Sequence, residues 1–322
     1  MTKVAAIGEC MIELSERADG SIARSWGGDT LNTAVYMVRL GMEVDYVTAL
    51  GDDGWSDEMV AGWRAEGIGT RLVQRLPDRL PGLYYIQTDA RGERRFSYWR
   101  DGAPARALFE LPSTPHIGEA LKSYDLIYLS GISLSLYGTR GRERLFDCLR
   151  SARQCGARIA FDTNFRPRGW PDLDQARAAY QTAVVCADVI LASVEDVELL
   201  YSADAQSEIR RWIRGTELVL KLADPTCQVY CHGTEIRIAA KPVAGVVDTT
   251  AAGDSFAAAY LAARLAGSEP AEAARAGHRL AGEVVRHRGA IIPRTVMPLN
   301  VLSALNNTRR IPDDIPADAP PE

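Results

Sequence analysis

The stretch Asp248-Thr249-Thr250-Ala251-Ala252-Gly253-Asp254 is followed without a break by a run of small and apolar residues, Ser255 to Ala263. The pattern predicts a turn that leads into a helix. The first backbone N–H groups of a helix have no partner within it, and the helix dipole adds partial positive charge there, so the turn predicts an anion site. The Asp254 carboxylate would repel a phosphate at that site unless it takes a proton from the group that attacks the phosphate. The stretch therefore indicates phosphoryl transfer, and the alternative is a tight turn at Gly253 with Asp254 as a helix cap.

The composition is that of an ordinary globular protein that carries no general attraction for polyanions. The chain has 322 residues, of which 47% are hydrophobic and 25% charged, and its formal net charge is -5. A negative net charge does not draw a protein to nucleic acid or to an anionic membrane surface. We therefore expect no nucleic-acid partner, and any anionic ligand must be held by local groups.

The beginning of the chain does not resemble a targeting segment. Its first apolar run, Val4 to Ile7, is followed almost at once by Glu9 and is too short for a signal peptide. No later stretch approaches the length and hydrophobicity of a membrane span. The sequence therefore predicts a cytoplasmic protein without a membrane partner.

Short apolar runs alternate with amphipathic stretches along most of the chain. Alternation of strands and helices predicts a mostly parallel sheet that is covered by helices on both faces. In such sheets, ligands bind beyond the carboxyl ends of the strands. The predicted strands are Val4–Ile7, Tyr46–Leu50, Leu126–Leu129, Arg158–Phe161, Val189–Leu191 and Leu218–Leu220, and the predicted helices are Leu31–Leu40, Asp57–Glu66, Arg142–Cys155, Asp174–Cys186 and Gln206–Arg214.

One region departs from this alternation. Residues 83–88 and 95–100 are strand-like, and the turn-forming residues 89–92 join them, which predicts a β-hairpin. We expect the hairpin to belong to a small β-layer that covers the active site, with its other face or edge buried by a second subunit. The chain is therefore predicted to be a homo-oligomer.

The two-residue period of the second hairpin strand places Tyr98 and Arg100 on one face. A guanidinium beside a phenol suits a carboxylate, because arginine donates two parallel hydrogen bonds that strengthen where water is excluded. The alternative is a solvated arginine on an edge strand.

Polar residues at the start of a predicted helix and after three predicted strands are further candidates for ligand contacts. Gly28, Asp29 and Asn32 open the first helix, where they either read the hydroxyls of a small polar molecule or simply begin a helix. Arg166 follows a strand and suits a phosphate or an acidic substrate. The sequence 193–196 follows another strand, where its carboxylates either organise a magnesium ion through water or sit in a capped first helical turn.

The segment that begins at Lys221 follows the last predicted strand. It lines a nucleotide pocket or forms a plain turn. The chain contains neither G-x-x-x-x-G-K-[ST] nor G-x-G-x-x-G, which argues against a P-loop enzyme and against a dinucleotide dehydrogenase. A nucleotide, if bound, must be held in another way.

Three of these segments together resemble the two signatures of the ribokinase-like (PfkB) carbohydrate kinases. They are the glycine-rich helix start at 27–32, Gly51-Asp52-Asp53, and the stretch 248–254, and the resemblance runs over roughly 4–293. It implies a three-layer α/β/α fold with a mostly parallel sheet and a small β-sheet lid. It also implies a kinase domain over 1–308, with a lid contributed mainly by about 10–26 and 82–106. The proline and aspartate content of 309–322 predicts a poorly ordered tail.

Longer blocks of sequence resemble the members of that family that phosphorylate keto-deoxy sugar acids. The resemblance implies transfer of a phosphoryl group from ATP, with Mg²⁺, to the terminal hydroxyl of 2-keto-3-deoxy-D-gluconate. Fructose or the galactonate epimer is the alternative substrate, and a sugar sensor that has lost catalysis is the alternative outside the enzymes. The blocks are Ile7–Ser15, Gly27–Asn32, Arg79–Tyr85, Tyr98–Arg100, Leu129–Ser133 and Arg288–Arg294.

The resemblance also implies roles for individual residues. Asp254 takes the place of the catalytic base, and Ala251, Ala252 and Gly253 that of the anion hole, although Ala251 stands where the wider family usually has glycine. Ala223 likewise replaces a usual glycine, and 193–196 departs from the family's Asn-x-x-Glu. The implied sugar-acid contacts are Gly28, Asp29, Thr30, Leu31, Asn32, Tyr84, Tyr98, Arg100 and Arg166; the implied nucleotide contacts are Asn164, Ser193, Lys221 and Ala223; and the implied metal-linked residue is Asp196.

Overall fold

The computed structural model describes residues 2–17, 19–88 and 94–302 of the chain. Strands and helices alternate over most of this length, as the sequence pattern predicts. The strands are β1 (Lys3–Ile7), β2 (Met11–Glu16), β3 (Ile22–Gly27), β4 (Glu43–Gly51), β5 (Val73–Leu76), β6 (Leu83–Thr88), β7 (Arg94–Trp99), β8 (Leu126–Ser130), β9 (Arg158–Asp162), β10 (Val189–Ser193), β11 (Glu217–Lys221), β12 (Thr226–Cys231) and β13 (Thr234–Ala239). The α-helices are α1 (Asp29–Arg39), α2 (Gly54–Glu66), α3 (Thr114–Leu121), α4 (Gly131–Leu136), α5 (Thr139–Gln154), α6 (Leu173–Cys186), α7 (Val194–Tyr201), α8 (Ala205–Trp212), α9 (Ala252–Leu265) and α10 (Pro270–Val284).

The large sheet has the strand order β13-β12-β11-β10-β9-β8-β1-β4-β5. Its pairs are parallel from β5 through to β11, whereas β12 and β13 are antiparallel additions at one edge. The predicted mostly parallel sheet is confirmed. All six predicted strands belong to it, so the carboxyl ends of β1 and β8 to β11 meet at one edge of the molecule.

Hydrophobic cores lie on both faces of this sheet. Successive side chains of β1 alternate between them, because a strand has a period of two. Ala5 and Ile7 belong to one core, and Val4 and Ala6 belong to the other. The helices cover both cores, which gives the three-layer α/β/α arrangement.

The small sheet has the strand order β3-β2-β6-β7. Its strands β6 and β7 pair antiparallel, which confirms the predicted hairpin. The predicted turn of the hairpin at 89–92 lies outside the described residues, as does the predicted tail at 309–322. Strand β3 attaches the sheet to α2: the Trp26 ring lies over Gly62, and Arg24 pairs with Glu58 at 2.5 Å. The small sheet is therefore held to the body through one of its outer strands.

Several short or weakly patterned elements were not predicted, among them β12, β13, α7 and α10. Strands β12 and β13 mix apolar with polar residues, unlike the nearly continuous apolar run of β10, and α10 has alanine at five of its fifteen positions. Within the described ranges, every helix is either too short or too polar to traverse a lipid bilayer.

Candidate active site

Helix α9 begins immediately after a strained residue. Ala251 precedes the helix and has φ 60, a left-handed conformation that an alanine adopts at a cost. The Ala252 amide donates to the Thr249 carbonyl at 3.2 Å. Among the residues that the structure describes, the amides of Gly253 and Asp254 have no hydrogen-bond acceptor. The turn thus presents unpaired N–H groups at a helix N-terminus, which is a favourable place for an anion.

The Asp254 carboxylate lies at the mouth of this turn. Its Oδ2 accepts a hydrogen bond from Asn32 Nδ2 at 2.8 Å. Burial raises the pKa of Asp254, and the nearby carboxylates of Asp29 and Asp162 raise it further, against the opposing effects of Asn32 and Lys221. A carboxylate with a raised pKa is a better proton acceptor than an ordinary aspartate.

A lysine approaches the turn from the neighbouring strand ends. Lys221 ends β11, and its Nζ lies 3.5 Å from Oδ2 of Asp162 at the end of β9. A methyl group added at Gly253 would lie 3.6 Å from the same Nζ. Burial raises the pKa of Asp162 to about 6, although Lys221 opposes the shift. The lysine therefore brings a positive charge beneath the unpaired amides.

Further polar side chains meet at the ends of β9 and β10. Asn164 Nδ2 donates to Asp29 Oδ2 at 2.6 Å, which ties the loop after β9 to the start of α1. Asp196 Oδ2 accepts from Thr163 Oγ1 at 2.7 Å, and its Oδ1 lies 3.6 Å from Arg166 Nη1. The Asp196 carboxylate is thus already engaged on both oxygens.

Ser193 caps α7, because its Oγ accepts from the Asp196 amide at 3.1 Å. This is the capping role that the sequence offered as an alternative. In the described part of the chain, no three or more histidine, cysteine, aspartate or glutamate side chains are grouped so as to hold a metal ion. A cation here would therefore be bound largely through water or through the oxygens of a ligand.

The small sheet presents three aromatic rings towards these groups. The centroids of Tyr84, Phe96 and Tyr98 lie 6.0 to 6.4 Å apart on one face. The Tyr84 hydroxyl donates to Glu13, and the Arg100 guanidinium donates to Glu9. The sequence predicts that Tyr98 and Arg100 point the same way, and both line the same cavity.

Two adjoining cavities join the small sheet to the strand ends. One, of about 560 Å³, contains Asp254, Lys221 and the turn at 249–253. The other, of about 1500 Å³, extends beneath the small sheet past Arg100. Asp29, Tyr98 and Arg166 line both, so the two form one continuous space large enough for two small ligands.

The structure brings most of the predicted site residues to this space and leaves three outside it. Thr30 and Leu31 are buried in the body, since positions 29 and 32 share the face of α1 that meets the cavity and the two between them turn away. Ala223 is exposed beyond both cavities. The predicted residues that line the cavities are Gly28, Asp29, Asn32, Tyr84, Tyr98, Arg100, Asn164, Arg166, Ser193, Asp196, Lys221, Ala251, Ala252, Gly253 and Asp254.

Sequence reasoning did not place three carboxyl-bearing residues among the site residues, of which Asp162 and Glu9 are buried and Glu13 is half-buried. Asp162 is the last residue of β9, and Glu9 follows β1 after Gly8. Both come directly after buried apolar runs, and a carboxylate in that position is the signal that could have found them. Glu13 lies inside β2, where its alternation with apolar neighbours looks like that of any half-exposed strand.

The fold and the site together are those of an α/β phosphotransferase, with a turn of unpaired amides and a buried carboxylate at the carboxyl edge of a parallel sheet. The profile of the pfkB family of carbohydrate kinases matches residues 1–296. The chain belongs to the pfkB family of carbohydrate kinases, as the sequence resemblance implies.

Curated relatives cover nearly the whole chain. The 2-dehydro-3-deoxygluconokinase of Dickeya dadantii is 45% identical over 92% of this chain and 98% of its own length. The enzyme of the same name from Escherichia coli K12 is 43% identical over 92% of this chain and 99% of its own. The fructokinase of Vibrio alginolyticus is 26% identical over 81% of this chain and 84% of its own.

Solved structures have the same fold. The fructokinase with bound ATP from Xylella fastidiosa has a TM-score of 0.80 and 25% identity, covering 95% of this chain and 98% of its own. The 2-dehydro-3-deoxygluconokinase of Thermotoga maritima has a TM-score of 0.79 and 22% identity, with the same coverage of 95% and 98%. These likenesses confirm the ribokinase-like fold.

Proposed function

We propose that this protein transfers a phosphoryl group from ATP to the terminal hydroxyl of 2-keto-3-deoxy-D-gluconate, giving 2-keto-3-deoxy-6-phosphogluconate. The substrate is supported by curated relatives that carry the name 2-dehydro-3-deoxygluconokinase at 43 and 45% identity over 92% of the chain. The reaction is supported by one observation above all. The Asp254 carboxylate lies beside amides that have no acceptor in the described residues, so a base and a phosphate site adjoin.

In this proposal Asp254 accepts the proton of the terminal hydroxyl as that oxygen attacks the γ-phosphorus of ATP in line. Asn32 holds the carboxylate through its hydrogen bond to Oδ2, which leaves the other oxygen for the substrate. Burial and the surrounding carboxylates raise the pKa of Asp254, and this makes it the stronger base. General-base assistance of this kind accelerates a reaction by roughly 10² to 10⁴-fold.

The turn at 251–254 stabilises the charge that develops on the transferred group. Each well-aimed donor in such a site contributes on the order of 3 kcal/mol. Lys221 adds a positive charge on the strand side of the turn. The free amides of Gly253 and Asp254 supply the donors, and Ala251 and Ala252 shape the turn through their backbone, which explains how alanine can stand at both positions.

The sugar acid occupies the space between this turn and the small sheet. Arg100 and Arg166 receive its carboxylate, because both line the cavity and a guanidinium matches a carboxylate geometrically. The remaining proposed contacts are polar groups at the start of α1 and phenols of the small sheet. They are Gly28, Asp29, Asn32, Tyr84 and Tyr98.

ATP occupies the side of the turn next to β10 and β11. Asn164, Ser193 and Lys221 line that part of the cavity, and Ala223 stands just beyond it. Related kinases have been solved with ATP and with ATP and Mg²⁺, at 25 and 22% identity. Magnesium bound to the phosphates would neutralise part of their charge, and Asp196 or Glu195 would hold its water shell.

A coupled assay of ATP consumption tests the function. We expect the highest kcat/KM with 2-keto-3-deoxy-D-gluconate in a panel that also contains its galactonate epimer and fructose. Arg100→Ala or Arg166→Ala should lower kcat/KM for the acid more than for fructose, because only the acid offers a carboxylate. Equal losses on both sugars would contradict the assignment of the carboxylate, and no turnover of any acid would contradict the function itself.

The small sheet is the proposed contact with a second copy of this chain. Its two outer strands carry Ile22 and Trp99, which are 57% and 62% exposed. Exposed large apolar side chains on open sheet edges are typical of interfaces. Light scattering should give an oligomer that Trp99→Ser weakens, and a monomer at all concentrations would contradict the interface.

The dependence on ATP, a cytoplasmic metabolite, supports a cytoplasmic location.

A further inference from the structure

Glu9 and Arg100 form a buried ion pair beneath the small sheet. Glu9 lies in the link between β1 and β2, and Arg100 follows β7, so the pair joins two of the connections between the sheets. The side chains of Glu9 and Arg100 are 2% and 19% exposed. Arg100 Nη2 donates to Glu9 Oε2. Arg100, which is proposed to bind the substrate carboxylate, is therefore already paired with the carboxylate of Glu9.

The pair leaves two polar atoms without partners. Glu9 Oε1 and Arg100 Nε are both buried, and neither has a hydrogen-bond partner among the described residues. A methyl group added at Gly82 would lie 2.9 Å from Glu9 Oε1, so that oxygen lies against the backbone of Gly82. An unsatisfied buried polar atom is costly, so both atoms would gain from a new hydrogen-bond partner.

A third unpartnered polar atom belongs to Tyr137, which lines the same cavity as Glu9 and Arg100. Tyr137 follows α4, is 1% exposed, and has a hydroxyl with no partner in the described part of the chain. Burial raises the pKa of Tyr137, and the charge of Glu9 raises it further. Glu9 thus has a free acceptor, and Tyr137 has a free donor.

We propose that Glu9 and Tyr137 exchange partners with Arg100 when an acid substrate binds. The Arg100 guanidinium turns from Glu9 to the substrate carboxylate, and the Tyr137 hydroxyl then donates to Glu9. Glu9 and Tyr137 are positioning residues in this scheme, and the scheme rests on the proposed function, in which Arg100 receives the sugar acid.

The exchange makes the site selective for acids. Before binding, Glu9 balances the charge of Arg100. A neutral sugar offers nothing that can displace Glu9, whereas a carboxylate competes with it directly. Two other charged groups act on Glu9: Arg106 lowers the pKa of Glu9, and Asp29 raises it.

Calorimetric titration of the protein with 2-keto-3-deoxy-D-gluconate, without ATP, tests the exchange. Tyr137→Phe should weaken binding by about tenfold, the value of one lost hydrogen bond to a charged group. Glu9→Gln should instead tighten it by several-fold, because the anion that competes for Arg100 is gone. In the double variant the Tyr137→Phe effect should largely vanish, and fructose binding should change in none of them.

Tyr201→Phe is the matched control. Tyr201 is also buried with an unpartnered hydroxyl, yet it does not line the cavities. Neither tyrosine variant should lower the melting temperature of the free protein, since neither hydroxyl has a partner to lose there. Tyr137→Phe therefore tests the exchange even if Glu9→Gln fails to fold.

Two results would overturn the exchange. One is an unchanged affinity in Tyr137→Phe in a protein that binds and phosphorylates the acid, which would leave the proposed function intact. The other is weaker binding in Glu9→Gln and Tyr137→Phe alike, which would make both merely structural. Wild-type protein that does not bind the acid would contradict the proposed function as well.

Discussion

For single residues, the main feature of the site is a group of carboxylates that differ in how well their negative charge is compensated. Asp162 is paired with Lys221 and Asp196 with Thr163 and Arg166, whereas Asp254 has only the amide of Asn32. Asp254 is therefore the carboxylate that gains most by accepting a proton. The chemistry of the site follows from that inequality.

We expect Asp254→Asn to lower kcat by about 10² to 10⁴-fold, since the amide cannot accept the proton of the hydroxyl. ATP binding should be largely retained, because the unpaired amides belong to the backbone. The variant should also unfold at a higher temperature at neutral pH, since it removes a charge whose ionisation opposes folding. Kinetics, ATP titration and thermal unfolding measure the three effects, with the exposed Asp174→Asn as a control. Near-normal turnover would refute the base assignment.

The raised pKa of Asp254 predicts the pH dependence of kcat. The base must be ionised to act, so kcat should fall as the pH is lowered through the pKa of this group, and at a higher pH than for an ordinary aspartate. The hydrogen bond from Asn32 opposes the shift, so Asn32→Ala should move this limb to still higher pH. A limb that does not move in Asn32→Ala would show that another group controls it.

At the scale of elements, the site depends on how α9 begins. The sequence predicts a turn into a helix at 248–254, and the structure starts α9 at Ala252 with no side-chain cap. It does not predict the left-handed conformation of Ala251, because alanine rarely adopts it and no neighbouring residue signals it. That conformation is set by the contacts of the loop before it, where Asp248 accepts from the amides of Thr250 and Gly289.

Ala251→Val should destabilise the protein by roughly 1–3 kcal/mol, since a β-branched residue fits the left-handed region poorly. Turnover should fall with it because the amides are displaced. Ala251→Gly should retain both stability and turnover, whereas Ala252→Gly, inside the helix, should cost about 0.5–1 kcal/mol. Thermal unfolding and kcat are the measurements, and equal behaviour of valine and glycine at 251 would contradict the strained turn.

At the scale of the whole molecule, the active site lies between two sheets that the chain connects several times. The body around the large sheet supplies Asp254 at the start of α9, Lys221 at the end of β11 and Arg166 after β9. The small sheet supplies Tyr84 and Tyr98. The distance between the two groups depends on how the small sheet is attached to α2. Substrate binding and stability are thus linked through that attachment.

Gly62→Ala tests the attachment. Glycine to alanine inside a helix usually stabilises, but a methyl group at Gly62 would lie 2.4 Å from the Trp26 ring and push β3 away from α2. We expect a loss of roughly 1–3 kcal/mol, the usual cost of overpacking, together with a higher KM for the sugar acid. Gly54→Ala in the same helix, where nothing lies within 4 Å of the added methyl, should show neither effect. Urea unfolding and kinetics measure both.

The parallel sheet, the hairpin and the turn into α9 could be predicted from the sequence alone, because these depend on local periodicity and on residues that are adjacent in the chain. Tertiary packing was needed to show that Thr30 and Leu31 face the core, that Glu9 pairs with Arg100, and that Asp162 lies beside Lys221. Such pairings join residues up to 91 positions apart. Their geometry is set by the packing of whole elements against one another, which no local pattern records.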